Sequence, residues 1–296
     1  MKEYAIITDS ACDLPLSYRK ENGIDYAKMM MSYTTKDGVE HDGYLSLDWD
    51  ELSPKEFYDI LRSGIRIFTS QVSVENYLDV FLPHLEKGED ILYVACSSAL
   101  SASLNAAIVL AEHELKERFP KQKIIVFDSL RAGMSEGQIV MLAVDNKNKG
   151  LTIEQNLEVL EKVKRAYKEI GIPESLSYLR RAGRVNAPAA IFGNVIGLKP
   201  ILVFDEKGGN VAKEKAIGKR KAFQKMAEMI KEDIVNPEEQ VVYLMNADCA
   251  KEDLEEFKEA ILSKIKVKEF KIELLGPVIG ASSGPGTMIF NYKGKQ

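Results

Sequence analysis

The sequence predicts an α/β protein of two domains, the first of which contains a parallel β-sheet. Over about the first half of the chain, short apolar runs alternate with amphipathic helical segments, as in parallel sheets. Ile91 to Ala95 is apolar throughout, as expected of a strand buried on both faces. A chain of 296 residues also exceeds the size at which one core usually divides.

The first half is predicted to begin with a strand, Tyr4 to Thr8, and a short helix, Pro15 to Glu21. Ser53 before Pro54 predicts a capped helix that ends at Arg62. Hydrophobic periodicity assigns the remaining elements of this half. They are helix Val74 to Leu85, strand Ile91 to Ala95, helix Ala99 to Arg118, strand Lys123 to Phe127 and helix Gln138 to Asn148.

The second half is predicted to be an α/β or α+β domain. A helix is expected over Ile153 to Ile170, and the composition changes after Pro173, so we place domains at 1–165 and 166–296. Gly208-Gly209 predicts a turn between two β-like runs. The other predicted elements are strands Pro200 to Phe204, Val211 onward, Val241 to Met245, Lys268 to Leu274 and Thr287 to Tyr292, and helices Gly218 to Ile234 and Lys251 to Lys264.

The composition excludes several classes of function. A net charge of -5 argues against a nucleic-acid binder. No stretch approaches the ~20 apolar residues that span a bilayer, so we expect a cytoplasmic protein without stable membrane insertion. Cys12, Cys96 and Cys249 lie far apart and indicate reduced core thiols. No motif indicates a metal, another cofactor or a catalytic residue.

Hydroxyl-rich segments follow the predicted strands, where parallel sheets bind ligands. Ser97 to Ser103 follows a strand and opens a predicted helix, so Ser98 and Ser101 could hold an anion with free backbone N–H groups, or Ser97 to Ser103 could only cap the helix. Thr69 and Ser70 could bind a carboxylate without charge, or form a turn before the next helix. The remaining segments of this kind are Thr8-Asp9-Ser10 and Asp128-Ser129.

The segment Gly280 to Thr287 contains Ser282, Ser283 and Gly284 and matches G-x-S-x-G, the nucleophile elbow of α/β-hydrolases. That elbow needs a helix behind it, but a β-like run follows here. All three histidines precede it. The segment therefore indicates a glycine-rich loop close to a ligand, or a simple turn before the last strand.

Two further groups of charged residues can each be interpreted in two ways. Asp9 and Asp13 follow the first strand and could accept a phosphoryl group or bind a metal, although capping of the following segment explains them better. A basic cluster could dock an acidic partner or form a solvated face. Its members are Arg180, Arg181, Arg184, Lys199, Lys213, Lys215, Lys219, Arg220 and Lys221.

Seven stretches in this order resemble the DegV family over essentially the whole chain. They are Ile7 to Ser10 with Asp13 to Pro15, Thr69 to Gln71, Ser97 to Ser101, Phe127 to Ser129, Tyr178 to Val185, Gly193-Asn194 through Leu202, and Val278 to Ala281 with Gly284 to Thr287.

The resemblance implies a non-enzymatic protein with a long-chain fatty acid between two α/β domains. It also implies that a fatty acid kinase catalytic subunit phosphorylates the bound carboxylate to an acyl phosphate for phospholipid synthesis. Thr69 and Ser101 match the carboxylate contacts of the family, with Ser98 nearby. Ser282 and the Gly284 loop would close the site from the second domain, and the basic cluster would dock the kinase.

The chain departs from the family where Ser282 replaces a histidine thought to contact the carboxylate. A serine donates a hydrogen bond but no charge. The remaining departures are Val72, Ala102-Ser103, Met29-Met30 and Ala182. Two alternatives therefore stay open: a regulatory protein that senses lipid without serving a kinase, and a serine esterase using Ser282 or Ser101, which a serine-reactive phosphonate would label.

Overall fold

The computed structural model describes residues 3–185 and 197–296 and confirms an α/β fold. A four-stranded parallel sheet forms from the first half of the chain. Its strands are β1 (Tyr4–Asp9), β2 (Asp25–Ala27), β6 (Asp90–Ala95) and β7 (Ile124–Asp128). They lie in the order β2-β1-β6-β7. Strands β1 and β6 are buried along their whole length, as their apolar sequences predict.

Most helices of the first half agree with the predicted pattern, although the one predicted from Gln138 begins earlier and the one predicted from Ile153 ends earlier. They are α1 (Leu16–Asn22), α2 (Pro54–Arg62), α3 (Val74–Glu86), α6 (Gly133–Asn148) and α7 (Ile153–Val163). The predicted cap of α2 is present: the Ser53 hydroxyl accepts from the Glu56 N–H, and the Glu56 carboxylate accepts from the Ser53 N–H.

A small antiparallel sheet was not predicted. Its strands are β3 (Met29–Thr34), β4 (Glu40–Leu45) and β5 (Phe68–Val72), in the order β4-β3-β5. The expectation that Thr69 and Ser70 lie in a loop after a strand is therefore wrong, because both lie inside β5. Three polar residues in a row concealed this strand, which is held by pairing with β3.

The predicted helix from Ala99 to Arg118 begins too early. The N–H groups of Leu100 and Ser101 both donate to the Ser97 carbonyl, which makes a turn. The Ser101 hydroxyl then accepts from the Ser103 N–H at 3.2 Å, so the helix begins only at Ser103. The segments that follow are α4 (Ser103–Leu110), a π-helical turn (Ala111–Leu115) and α5 (Lys116–Arg118).

A six-stranded mixed sheet forms from the second half, in the order β10-β9-β8-β13-β11-β12. Its strands are β8 (Tyr167–Ile172), β9 (Leu198–Phe204), β10 (Asn210–Ile217), β11 (Val241–Asn246), β12 (Glu269–Leu274) and β13 (Met288–Lys293). Its helices are α8 (Ser177–Ala182), α9 (Lys219–Asp233), α10 (Lys251–Leu262) and α11 (Pro277–Ser283).

Two predictions in this half are wrong. The helix expected over Ile153 to Ile170 ends at Val163, because β8 pairs with β9 on one side and β13 on the other. The segment that holds Ser282 and Ser283 is not a loop but the last turn of α11. Pro277 begins that helix, and burial of its apolar face compensates for its weak helix formers.

The buried apolar residues form two clusters. The second contains Phe223, Phe257 and Phe290, with α9 and α10 against the mixed sheet. The first surrounds the parallel sheet but also includes Val278 and Ala281 of α11. The C-terminal part of the chain thus packs again in the first core. The division into domains at residue 165 stays a prediction.

Candidate functional site

A cavity, here called the central cavity, lies where residues of both halves of the chain meet. It encloses about 810 Å³ of empty space, counting its opening to solvent. Most of its lining is apolar. These residues include Met29, Leu100, Ala132, Ile172, Leu179, Leu202, Phe204, Val278, Ile279 and Ile289. Five of the predicted binding residues also line it: Thr69, Ser70, Ser101, Ser282 and Ser283.

The Ser101 hydroxyl is held by a short network behind the cavity wall. The Ser103 hydroxyl accepts from the Val72 N–H at 3.1 Å and lies 2.9 Å from the Ser101 hydroxyl. Either hydroxyl of this pair can be the donor, since each oxygen also accepts one backbone N–H. When Ser103 donates to Ser101, the proton of Ser101 is free to donate into the cavity.

The other lining hydroxyls differ in their availability. Within the described residues, neither Thr69 nor Ser282 has a hydrogen-bond partner for its hydroxyl, and both side chains are half-buried. The Ser283 hydroxyl instead donates to the Ile279 carbonyl at 2.7 Å within α11. Thr69 and Ser282 are therefore free to bind a ligand, whereas Ser283 contributes to the wall.

Two predicted residues do not line the cavity. Ser98 is exposed, and its hydroxyl donates to the Asp128 carboxylate at 2.6 Å, so it joins two loops. Gly284 ends α11 with a φ of +82°, against the ring of Tyr178. A Cβ atom at this position would come within 2.3 Å of that ring, so this glycine permits close packing.

Arg184 lines the central cavity, although its sequence context placed it only in a basic cluster. It follows Gly183, whose left-handed conformation ends α8, and its Nε donates to the Leu100 carbonyl at 3.0 Å. Its Nη1 donates to the Ala182 carbonyl. Among the described residues, no carboxylate lies within ion-pair distance of Arg184. The cavity therefore contains a positive charge that no acidic side chain neutralises.

A second, smaller cavity, the arginine pocket, adjoins the first. Thr69, Arg184 and Ser282 line both, so they lie at the junction. Arg66 and Arg181 line the arginine pocket as well, stacked on Phe68 and Tyr178, respectively. Within the described part of the chain, neither arginine has a carboxylate partner. This pocket is consequently a positive region beside the free hydroxyls.

Glu169, on β8, lines the central cavity but not the arginine pocket. Burial raises the pKa of its carboxyl to about 8, although nearby Arg131 opposes the shift. The Arg131 guanidinium itself donates to the carbonyls of Tyr167, Leu130 and Arg165. Glu169 is therefore largely neutral at pH 7, when it can both donate and accept a hydrogen bond.

Asp9 has the structural role that its position predicted. Its carboxylate accepts from the N–H groups of Ala11 and Cys96 and from the Tyr93 hydroxyl. Burial nevertheless raises its pKa to about 6. Asp13 is buried nearby, and burial raises its pKa well above the ordinary value.

The structure also bears on the predictions about metal ligands, cysteines and histidines. No group of three or more His, Cys, Asp or Glu that could hold a metal occurs in the described ranges. Cys12 and Cys96 are buried, as expected of core thiols, whereas Cys249 is only half-buried. The residues found to line the central cavity include none of the histidines. Gly193-Asn194, part of the resemblance, lies outside the described residues.

Part of the predicted basic cluster is neutralised. Lys199 forms an ion pair with Glu174 at 2.9 Å, and Lys219 contacts both Glu174 and Asp253. Arg220 lies 3.5 Å from Glu256. Of the cluster, Arg181 and Arg184 line the arginine pocket and have no acidic partner among the described residues.

Comparison with known proteins relates the chain to the family that its sequence motifs resemble. A family model described as "Uncharacterised protein, DegV family" matches residues 3–292. A DegV domain-containing protein of Clostridium perfringens is 34% identical, over 99% of this chain and 98% of that protein. No helix in the described part of the chain is long and apolar enough to cross a membrane.

Two solved structures are similar along their whole length. One is a DegV lipid-binding protein of Thermotoga maritima, with a TM-score of 0.81, 25% identity and 99% of each chain covered. The other is a fatty-acid-binding DegV family protein of Thermus thermophilus, with a TM-score of 0.82, 26% identity and coverage of 99% of this chain and 100% of that one.

Proposed function

We propose that this chain, which belongs to the DegV family, binds one long-chain fatty acid in the central cavity and presents it to a fatty acid kinase in the cytoplasm. The main observation behind this proposal is that an apolar cavity meets the arginine pocket at a junction lined by hydroxyl and guanidinium groups that can donate hydrogen bonds. The fatty-acid-binding relative from Thermus thermophilus supports the same ligand class. The ligand would lie between domains 1–165 and 166–296.

The carboxylate would be held by Thr69, Ser101, Ser282 and Arg184. A buried carboxylate is stable only when several donors surround it. Three hydroxyls supply directed hydrogen bonds, and Arg184 supplies the charge. Ser282 cannot supply the charge of the histidine that the family resemblance leads us to expect, and Arg184 compensates for it. Ser98 is left out because its hydroxyl is bonded to Asp128.

The acyl chain would lie against the apolar lining. Each methylene removed from water contributes about 0.8 kcal/mol, so a long chain binds tightly without further polar contacts. Gly171, near the end of β8, also lines the cavity, where a Cβ atom would contact Ile289 at 3.5 Å and the Met288 carbonyl at 3.6 Å.

The arginine pocket supports presentation to a kinase. A carboxylate at the junction faces Arg66, Arg181 and Arg184, which have no acidic partners among the described residues. Arginines of this kind bind phosphoryl oxygens well. The pocket would therefore accept the charge that develops as the carboxylate becomes an acyl phosphate, and its open rim would dock the partner.

The test has two stages. The purified protein is extracted under denaturing conditions, and the organic phase is analysed by mass spectrometry. A stoichiometric long-chain fatty acid supports the binding function, whereas an empty extract that persists after incubation with fatty acids refutes it. The loaded protein is then mixed with ATP and a DegV-partner kinase subunit. Acyl phosphate supports presentation, and its absence favours a lipid sensor.

A further inference from the structure

The wall of the central cavity contains one acidic side chain that fatty acid binding does not explain. On β8, Glu169 and Gly171 line the cavity together with Ile172 at the end of the strand, whereas Ile170 lies in the second core. Glu169 and Gly171 share one face of the strand, so the Glu169 side chain borders the ligand space. The carboxylate donors proposed above include no acidic residue, and a ligand carboxylate would repel one.

Glu169 does not lie at the junction between the central cavity and the arginine pocket. It lines a second cleft on the far side of the wall together with Arg131 and Phe204, and none of the three lines the arginine pocket. The Asn291 side chain, paired across strands with Glu169, is fully buried, and its Oδ1 has no hydrogen-bond partner in the described structure. Glu169 and Asn291 thus place polar groups in and behind this part of the wall, in addition to the hydroxyls and Arg184 at the junction.

A plain alkyl chain lying here would be poorly matched. It would offer the Glu169 carboxyl no hydrogen bond in addition to the one with Ser135, and a polar oxygen left without a partner beside an apolar chain is costly. A hydroxyl on the chain would restore one donor and one acceptor. Because the pKa of Glu169 is raised to about 8, its neutral carboxyl could use both.

We infer that the preferred ligand of this chain is an oxygenated long-chain fatty acid, whose mid-chain or distal hydroxyl pairs with Glu169. This inference rests on the proposed function, since it names the ligand class of the same cavity. The acyl chain would then be fixed at two points, its carboxylate at the junction and its hydroxyl at β8.

The experiment compares octadecanoate with a set of octadecanoates that carry one hydroxyl between the middle of the chain and its methyl end. Dissociation constants are measured by displacement of a fluorescent fatty acid. We expect at least one hydroxylated isomer to bind roughly five- to tenfold more tightly than octadecanoate. Lipid extracted from the purified protein should likewise be one oxygen heavier than the plain acid.

Three variants identify the responsible group. Glu169→Leu should reverse the preference in favour of octadecanoate, whereas Glu169→Gln should keep a preference for the hydroxyl, because an amide both donates and accepts. Glu206→Gln, at a carboxylate of the second cleft that is 92% exposed, is the matched control and should change nothing. Thermal melting establishes that each variant is folded.

The outcomes separate the two proposals. Binding of octadecanoate at least as tightly as every hydroxylated isomer overturns the inference but leaves fatty acid binding intact, and so does a preference that persists in Glu169→Leu. Failure of wild-type protein to bind any of the acids refutes the proposed function itself. If Glu169→Leu does not fold, the Glu169→Gln variant and the wild-type ratio still decide the matter.

Discussion

Ser101 and Ser98 lie in the same loop, yet only Ser101 faces the central cavity. If Ser101 donates to the ligand carboxylate as proposed, replacing it with alanine removes one hydrogen bond to that group. Hydrogen bonds to charged groups contribute about 1.5–3 kcal/mol, so the dissociation constant for a fatty acid should rise roughly ten- to a hundredfold. The variant also removes the acceptor of the Ser103 N–H, so its thermal stability should fall modestly.

Ser98→Ala is the matched control, because its hydroxyl is already bonded to Asp128 and is exposed to solvent. Its affinity should stay within about twofold of wild type. Both variants are titrated by calorimetry with the same fatty acid. Equal losses in the two variants would show that the loop as a whole, rather than the Ser101 hydroxyl, holds the carboxylate, and would refute the reasoning from the hydrogen-bond network.

Three other outcomes are expected. Glu169→Gln should gain stability relative to wild type as pH rises from about 4.5 to about 8, by at most roughly 1.4 kcal/mol per pH unit. The reason is that native wild-type protein holds a proton on Glu169 that the unfolded chain releases. Urea unfolding of both proteins at pH 5 and pH 8 measures the effect, and a difference in unfolding free energy that does not change with pH would contradict it. Gly284→Ala should destabilise the protein by about 2–5 kcal/mol, since strain at its positive φ adds to the contact of its Cβ with the Tyr178 ring. Gly183→Ala, with open space around its Cβ, should cost about 1–2 kcal/mol from backbone strain alone, and a loss at Gly284 no larger than that in chemical denaturation would exclude the ring contact as a cause. Fatty acid at a hundred times its dissociation constant should add about 2.7 kcal/mol to the free energy of unfolding, and an unchanged melting temperature would indicate no binding.

Local signals in the sequence account for much of the fold. The Ser53 cap, the apolar run at Ile91 and the turn at Gly208-Gly209 each act within a few residues, so their elements were predicted nearly to the residue. Tyr167–Ile172 was mistaken for helix because its charges continue a helical period. Pairing with β9 and β13, far away in sequence, decides its structure instead.

The residues of the candidate site also divide into those that sequence motifs predict and those that only tertiary packing brings to the cavity. Thr69, Ser101 and Ser282 could be named from sequence because they coincide with family motifs, and all three line the cavity. Arg184 could not be distinguished from its basic neighbours, since only the packing of α8 against Leu100 turns it inward. Glu169 carried no signal at all, because the sequence assigned it to a helix rather than to a strand that faces the ligand.

The return of α11 to the first core has a consequence for synthesis of the protein. Val278 and Ala281 pack in that core, and the Tyr58 hydroxyl donates to the Leu275 carbonyl at 2.9 Å. The ribosome therefore releases the residues of the parallel sheet long before it makes the segment that covers them. Until then an apolar surface stays open, so we expect the nascent chain to need a chaperone and to gain protease resistance only when α11 has emerged from the ribosome.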